Sequence, residues 1–174
     1  MPLRPATPAD IPALHALVES AYRGDSARAG WTHEANLLGG QRTDPEALAT
    51  MIAAPAEAIL LDEAEGTLLG CVHLKRISGG TAYLGLFTVA PHLQGSGRGK
   101  KLLAAAEGHA TRHMRAHRME MTVIAQRAEL IAWYERRGYA RTGETRPFPL
   151  DDARFGLPMR RDLSFIVLEK ALPG

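Results

Sequence analysis

The sequence predicts one domain of mixed α/β class, in which helices flank a mostly antiparallel sheet. Apolar residues recur at three- and four-residue steps near the N-terminus, which indicates an amphipathic helix. Between residues 58 and 89, three apolar runs are separated by Glu65-Gly66 and Ser78-Gly79-Gly80, which indicates strands joined by hairpins. The pattern then alternates between helix and strand without an internal repeat or linker, so we expect one domain over residues 1–174.

Local start and stop signals place each element. Thr7-Pro8 begins the first helix, whose apolar face ends near Gly24, and Asp44-Pro45 begins a shorter one. A third helix carries apolar positions from 102 to 114, and a fourth runs from 128 to 137. Gly138 then stands in the position of a left-handed C-terminal cap. The predicted strands are 58–61, 68–74, 82–89, 119–125, 139–142 and 163–168.

Composition and charge exclude several classes of protein. The 174 residues are 45% hydrophobic and 23% charged, as in folded soluble domains. The net charge of +2 is too small for the basic footprint of duplex binding, so no nucleic-acid partner is expected. The single cysteine, Cys71, cannot close an internal disulfide, and no segment resembles a secretory signal or a membrane span. We therefore expect a cytoplasmic protein without a membrane partner, either monomer or homodimer.

The most informative segment is a glycine-rich turn, residues 95–99, between a predicted strand and a predicted helix. Its three glycines let successive N–H groups converge, and the helix adds free donors and the positive end of its dipole. This combination binds phosphate, and Arg98 and Lys100 add charge at the rim. The segment is neither a P-loop, because Lys101 replaces serine or threonine, nor a dinucleotide fingerprint, because Lys100 replaces the third glycine. Taken alone, the cluster is also compatible with a loop that only turns the chain.

The surroundings of this turn add a resemblance. Gln94-x-x-Gly97-x-Gly99, after a strand ending in Val89-Ala90-Pro91, resembles the coenzyme A loop of the GCN5-related N-acetyltransferase (GNAT) family. Tyr134, four residues before Gly138-Tyr139, resembles that family's second signature. The order of elements is similar over nearly the whole chain: an initial strand and helices, three antiparallel strands, this loop and its helix, and then a parallel strand. The resemblance implies a single-domain GNAT-like fold whose twisted sheet splays between its fourth and fifth strands, here 82–89 and 119–125.

The resemblance also implies a chemistry. A member of this family moves an acetyl or short acyl group from acetyl-CoA to a primary amine by direct attack in a ternary complex. Tyr134 is the implied acid that protonates the leaving CoA thiolate, and the Val89 N–H is implied to polarise the thioester carbonyl. The implied acetyl-CoA-binding residues are Phe87, Thr88, Val89, Gln94, Gly95, Ser96, Gly97, Arg98, Gly99 and Lys100. The alternatives are a non-catalytic acyl-CoA-binding regulatory module and a basic module that contacts RNA or protein.

The acceptor side is less defined. The family places acceptor-binding residues between the first two helices, so Trp31 and Glu34 are the implied substrate-binding residues, although Trp31 could equally fill the core. Within the proline-rich excursion 147–158, the segment from Arg146 to Asp152 could either close this side, with Asp151-Asp152 attracting a cationic amine, or serve as a rigid connector. Some relatives carry a glutamate on the strand before the loop, and this sequence has none there.

The sequence alone assigns no general base. An amine arrives mostly protonated, so some group must take a proton before attack. Glu34, His33 and His73 are possible substitutes for the missing glutamate, and each is also explained as a solvated or packed side chain.

Three histidines, His109, His113 and His117, recur every four residues and would share one helical face if the third helix runs that far. Such spacing can hold a metal. The interleaved arginines would repel a cation, so we predict a solvated basic face and assign no metal.

Overall fold

A seven-stranded sheet forms the centre of the computed structural model, which describes residues 1–22, 38–39, 42–77, 79–148, 157–158 and 162–173. Its strands lie in the order β1-β3-β4-β5-β6-β9-β7, and β2 pairs with β8 in a separate ribbon. The strands are β1 (Arg4–Pro5), β2 (Leu38–Gly39), β3 (Glu57–Ala64), β4 (Thr67–Ile77), β5 (Thr81–Val89), β6 (Arg118–Ile124), β7 (Ala140–Pro147), β8 (Leu157–Pro158) and β9 (Ser164–Ala171).

The described strands pair antiparallel throughout, with one exception. β5 and β6 run parallel, joined by the crossover that contains the third helix. These two strands are the predicted strands 82–89 and 119–125. The mixed α/β class, the mostly antiparallel sheet and the position of the parallel pair are therefore confirmed.

The helices cover both faces of the sheet. They are α1 (Ile11–Tyr22), α2 (Pro45–Ala53), α3 (Arg98–Met114) and α4 (Ala128–Glu135), with short 3-10 turns at Pro8–Asp10 and Pro91–Leu93. On one face, α1 packs Leu14 and Val18 into a core with Cys71. On the other face, α3 packs Leu102 and Ala106 into the larger core. No helix in the described ranges combines the length and the hydropathy of a membrane span.

Local signals place the helix ends well. Asp44 caps α2 by accepting a hydrogen bond from the Ala47 N–H at 2.7 Å, as its position predicts. Gly138 has a φ of +99°, so the predicted left-handed residue after α4 is confirmed. α3 ends at Met114, where Arg115 takes the left-handed conformation, so His117 does not lie on the helical face predicted for three histidines. Within the described ranges, no three metal-ligating side chains lie together.

Candidate active site

The site begins at a bulge near the end of β5. The β4–β5 register runs from Cys71 opposite Thr88 to His73 opposite Gly85, so β5 carries one residue more than β4 in this interval. Leu86 has a φ of +47°, in the left-handed region that a leucine rarely adopts. The Phe87 carbonyl accepts a hydrogen bond from the Tyr22 hydroxyl of α1. The bulge thus fixes the backbone of β5 where it faces α1.

β5 and β6 separate after Tyr83, before the chain reaches the bulge. Their parallel pairing covers only Thr81–Tyr83 and Arg118–Glu120. At the closed end, the Tyr83 hydroxyl lies 2.6 Å from the Thr122 hydroxyl. The opening between the strands is a cavity of about 280 Å³, here called the splay cavity. Its described lining is Tyr22, Arg42, Tyr83, Leu84, Gly85, Leu86, Phe87, Met121, Thr122, Val123, Ile124, Arg127, Leu130, Tyr134, Phe148 and Phe165.

The open edge of β5 presents backbone groups to the splay. The Ala90 N–H donates to Leu69 of β4 at 2.9 Å. Because neighbouring N–H groups of a strand point to opposite edges, the Val89 N–H points away from β4, toward the opening. The Gln94 side chain donates to the Val89 carbonyl at 3.0 Å, which ties the start of the glycine-rich turn to the end of the strand.

The glycine-rich turn borders a second cavity of about 630 Å³, here called the turn cavity. Gly95 and Gly97 have φ values of +85° and +86°, so the turn uses the conformation that glycine adopts without strain. The first intrahelical bond of α3 runs from the Lys101 N–H to the Gly97 carbonyl, which leaves the preceding N–H groups without a helical acceptor. The described lining is Phe87, Val89, Gln94, Gly95, Gly97, Gly99, Lys100, Glu129, Leu130, Ala132, Trp133, Arg136 and Arg137.

Two of the predicted turn residues direct their side chains elsewhere. Arg98 forms a 2.6 Å ion pair with Asp62, which is 4% exposed, and Arg98 does not line the turn cavity. The Ser96 hydroxyl donates to the Leu93 carbonyl within the turn itself. Both side chains therefore hold the turn in place, and their backbones remain part of it.

Tyr134 lies where the two cavities approach each other. It is 4% exposed, and its ring makes edge contacts with those of Phe87 and Trp133. Tyr134 lines the splay cavity, and among the described residues none forms a hydrogen bond with its hydroxyl. Burial raises the pKa of this phenol well above its ordinary value, so the group stays protonated at neutral pH and can donate a proton.

One wall of the turn cavity is aromatic and cationic, and its residues were not predicted from the sequence. The Arg137 guanidinium lies 4.3 Å from the centre of the Trp133 ring, and Arg136 lies beside it in the lining. The four-residue step from Trp133 to Arg137 on a predicted helix is a signal that could have indicated this pair. Arg42 and Arg127, which line the splay cavity, lie outside regular elements, and no local pattern marks them.

The structure describes one of the residues predicted for amine binding or for proton acceptance, His73. Trp31, Glu34, His33, Asp151 and Asp152 lie outside the described residues. His73 lies on β4 and is 6% exposed.

The sequence matches the acetyltransferase (GNAT) family over residues 17–139. The chain therefore belongs to this family, and the resemblance noted from the loop and the tyrosine is confirmed. Among curated proteins, none matches this sequence.

Solved structures share the fold at low identity. A ribosomal-protein-alanine N-acetyltransferase from Brucella melitensis is 23% identical, covers 99% of this chain and 100% of its own, and has a TM-score of 0.70. The ribosomal-protein-S18-alanine N-acetyltransferase from Escherichia coli is 14% identical, covers 99% of this chain and 94% of its own, and has a TM-score of 0.71. A spermidine N-acetyltransferase from Vibrio cholerae in complex with CoA and spermine is 18% identical, with coverages of 98% and 95% and a TM-score of 0.70.

Proposed function

We propose that this protein transfers an acetyl or short acyl group from its CoA thioester to a primary amine, by direct attack in a ternary complex. The observation that carries the proposal is that two cavities meet at Phe87 and Leu130. One borders the donor-rich start of α3, and the other contains Tyr134. A CoA thioester has matching parts, an anionic diphosphate and an amide-bearing arm that ends in sulfur.

The turn cavity has the groups that a diphosphate requires. The first N–H groups of α3 and the positive end of its dipole face the glycine-rich turn, and Lys100 adds a cation. Arg136 and Arg137 add further positive charge, and Glu129 is the only acid in the described lining. Arg98 would contribute through its backbone alone, because its side chain pairs with Asp62.

The unpaired edge of β5 suits the amide-bearing arm. An extended chain with amide groups can pair with a free strand edge as an added strand would. In this arrangement the Val89 N–H, which points toward the opening, donates to the thioester carbonyl oxygen. A fixed donor at that oxygen stabilises the charge that develops there during attack more than it stabilises the substrate.

Tyr134 supplies the proton for the leaving sulfur. Its hydroxyl has no competing partner among the described residues, and its raised pKa keeps the phenol protonated before the transfer. Direct attack on the thioester is favoured over transfer through a cysteine. Cys71, the one cysteine in the sequence, is fully buried in the sheet, and burial raises the pKa of its thiol to about 12.

Calorimetry and a thiol-release assay test the proposal together. CoA binding is measured first, with Gly99→Ala as the variant. A Cβ at Gly99 would lie 3.5 Å from Trp133 and 3.7 Å from Val89, ordinary contact distances, so the variant should fold. Because that Cβ occupies the turn cavity, we expect CoA affinity to fall about tenfold, equivalent to ~1.4 kcal/mol. Unaltered affinity in a folded variant would show that CoA does not use this cavity.

Turnover is then measured with acetyl-CoA and a panel of amines. The panel contains spermidine, L-amino acids, an aminoglycoside, an alanine-terminated peptide and a lysine-containing peptide. Amine-dependent release of CoA thiol supports the transferase. CoA binding without turnover on any amine would favour the non-catalytic binding module instead, and absence of both would overturn the assignment.

A further inference from the structure

A buried histidine–carboxylate pair lies on the face of the sheet that α1 covers. His73 of β4 and Glu57 of β3 approach with their Nε2 and Oε1 atoms 2.7 Å apart. Their side chains are 8% and 17% exposed. The carboxylate accepts from Nε2–H, which fixes the neutral tautomer in which Nδ1 carries the lone pair. His73 therefore offers a proton acceptor on one specific ring atom.

That atom lies next to Gly85 of the neighbouring strand. His73 stands opposite Gly85 of β5, and a Cβ placed on Gly85 would lie 3.6 Å from Nδ1. Gly85 lines the splay cavity, as does Tyr134. No described residue forms a hydrogen bond with Nδ1. Because Gly85 carries no side chain, Nδ1 borders the backbone of a residue that lines the same cavity as the proposed acid, and the Tyr83 ring lies 3.3 Å from the same Cβ position.

We propose that His73, held by Glu57, is the proton acceptor for the amine substrate, acting over Gly85 at the edge of the splay cavity. This inference rests on the proposed acetyl transfer. Strand β5 carries no glutamate that could act as the base, and His73 would fill that role. The proposed base would then lie at the edge of the cavity that the proposed acid, Tyr134, lines.

The proton balance of the step is complete. The ammonium form of the substrate gives one proton to Nδ1, directly or through one water over Gly85, and the resulting imidazolium later releases it to solvent. The free amine attacks the thioester carbonyl carbon, and a C–N bond forms as the C–S bond breaks. The sulfur takes the Tyr134 proton, and the second proton lost by the nitrogen restores the phenol. One amide, one thiol and one solvent proton result.

The charges around His73 suit a base at neutral pH. Burial lowers the pKa of the imidazole below its ordinary value, and Lys75 and Arg42 act in the same direction. Glu57 opposes them, through its hydrogen bond and its charge. The other side chain beside Gly85 is the aromatic ring of Tyr83. The ring therefore stays mostly unprotonated at pH 7 and can accept a proton.

The kinetic test uses His73→Gln with the fastest amine of the panel. For the wild type, we expect log kcat/KM to rise with pH to the pKa of His73 and then to level off. In H73Q, only the free amine reacts, so log kcat/KM should rise with unit slope until the amine pKa, near 10. At pH 7 the variant should be slower by about 10²- to 10⁴-fold, and the deficit should shrink as the pH increases. The exposed His92→Gln is the matched control and should follow the wild type.

Glu57→Gln gives a second, independent measurement. Removing the carboxylate removes a group that favours the imidazolium, so the pKa of His73 should fall. We expect the NMR titration of the His73 ring to shift to lower pH in E57Q, and the acidic limb of kcat/KM to shift with it. Histidine ring titration needs no turnover, so it remains informative if H73Q folds poorly.

The outcomes separate this inference from the proposed function. Amine-dependent turnover with the same pH profile in wild type and H73Q would overturn the role of His73 and leave the transferase intact. The role of His73 would also be overturned if, in E57Q, the NMR titration of its ring shifted to lower pH but the acidic limb of the kcat/KM profile did not. Absence of turnover with every amine would remove the proposed function and this inference together.

Discussion

Two tyrosines five residues apart allow the role of Tyr134 to be tested against a matched control. Tyr134→Phe removes a hydroxyl that has no partner among the described residues. Tyr139→Phe removes a hydroxyl that donates to Glu107 at 2.7 Å. Both rings are buried, and they pack edge to face with their centres 5.9 Å apart. The two substitutions therefore delete the same atom in one aromatic cluster, with different consequences.

The expected magnitudes follow from these contacts. Tyr134→Phe loses no hydrogen bond, so the free energy of unfolding should change by less than about 0.5 kcal/mol. Loss of a general acid should lower kcat about 10²- to 10⁴-fold, equivalent to at least ~2.7 kcal/mol of activation free energy. Tyr139→Phe loses a hydrogen bond to a carboxylate, worth roughly 1.5–3 kcal/mol. Lys170 stays 3.1 Å from Glu107 and keeps that carboxylate paired, so we expect the lower end.

Three measurements on each variant decide the matter: urea unfolding, CoA binding by calorimetry, and kcat with the best amine. We expect Tyr134→Phe to lose turnover while it retains stability and CoA affinity. Tyr139→Phe should lose stability while it retains kcat. Equal kcat in Tyr134→Phe and wild type would remove the residue from the acid role. Equal losses of kcat in both variants would mean that the cluster matters only as packing.

Two further predictions concern charged side chains. Arg98→Met should lower the free energy of unfolding by about 2–3 kcal/mol, because it leaves buried Asp62 unpaired. Lys100→Met should instead weaken CoA binding and leave stability unchanged. Reversed effects in unfolding and calorimetry would show that Arg98 contacts the ligand. Hydrogen bonds from Arg4 hold the pKa of Asp10 well below its ordinary value, so the folded state gains stability above about pH 4 that is lost as the pH falls. Asp10→Asn should flatten the decline of the unfolding free energy below about pH 4, and an unchanged decline would exclude this pair as its source.

The parts of the site that the sequence predicts are those encoded locally. The turn depends on glycines at 95 and 97, and their positive φ values follow from residue type and spacing alone. Tyr134 follows from its spacing to Gly138. The partner of Arg98 could not be predicted, because Asp62 precedes it by 36 residues and only the hairpin order brings the two together. The same holds for His73 and Glu57, which adjacent strands place side by side.

The bulge at Leu86 is the feature that sequence patterning could not predict, and the geometry of the site depends on it. Ala82 and Leu84 contribute to the core under α3, so strict alternation would place Leu86 there too. Leu86 instead packs in the core under α1, and Phe87 takes the α3 side, 5.8 Å from the Trp133 ring centre. One extra residue thus moves each following side chain of β5 to the opposite face of the sheet, here called the inversion. Leucine has no property that would predict the left-handed φ that this inversion requires.

This inversion links the two cavities. Because Phe87 turns toward α4, it lines both the splay cavity and the turn cavity, and its carbonyl remains available to the Tyr22 hydroxyl of α1. In a regular strand without the bulge, Phe87 would lie on the same face as Gly85. A left-handed non-glycine residue costs roughly 1–2 kcal/mol. The aromatic contact between Phe87 and Trp133, which the inversion makes possible, offsets part of that cost.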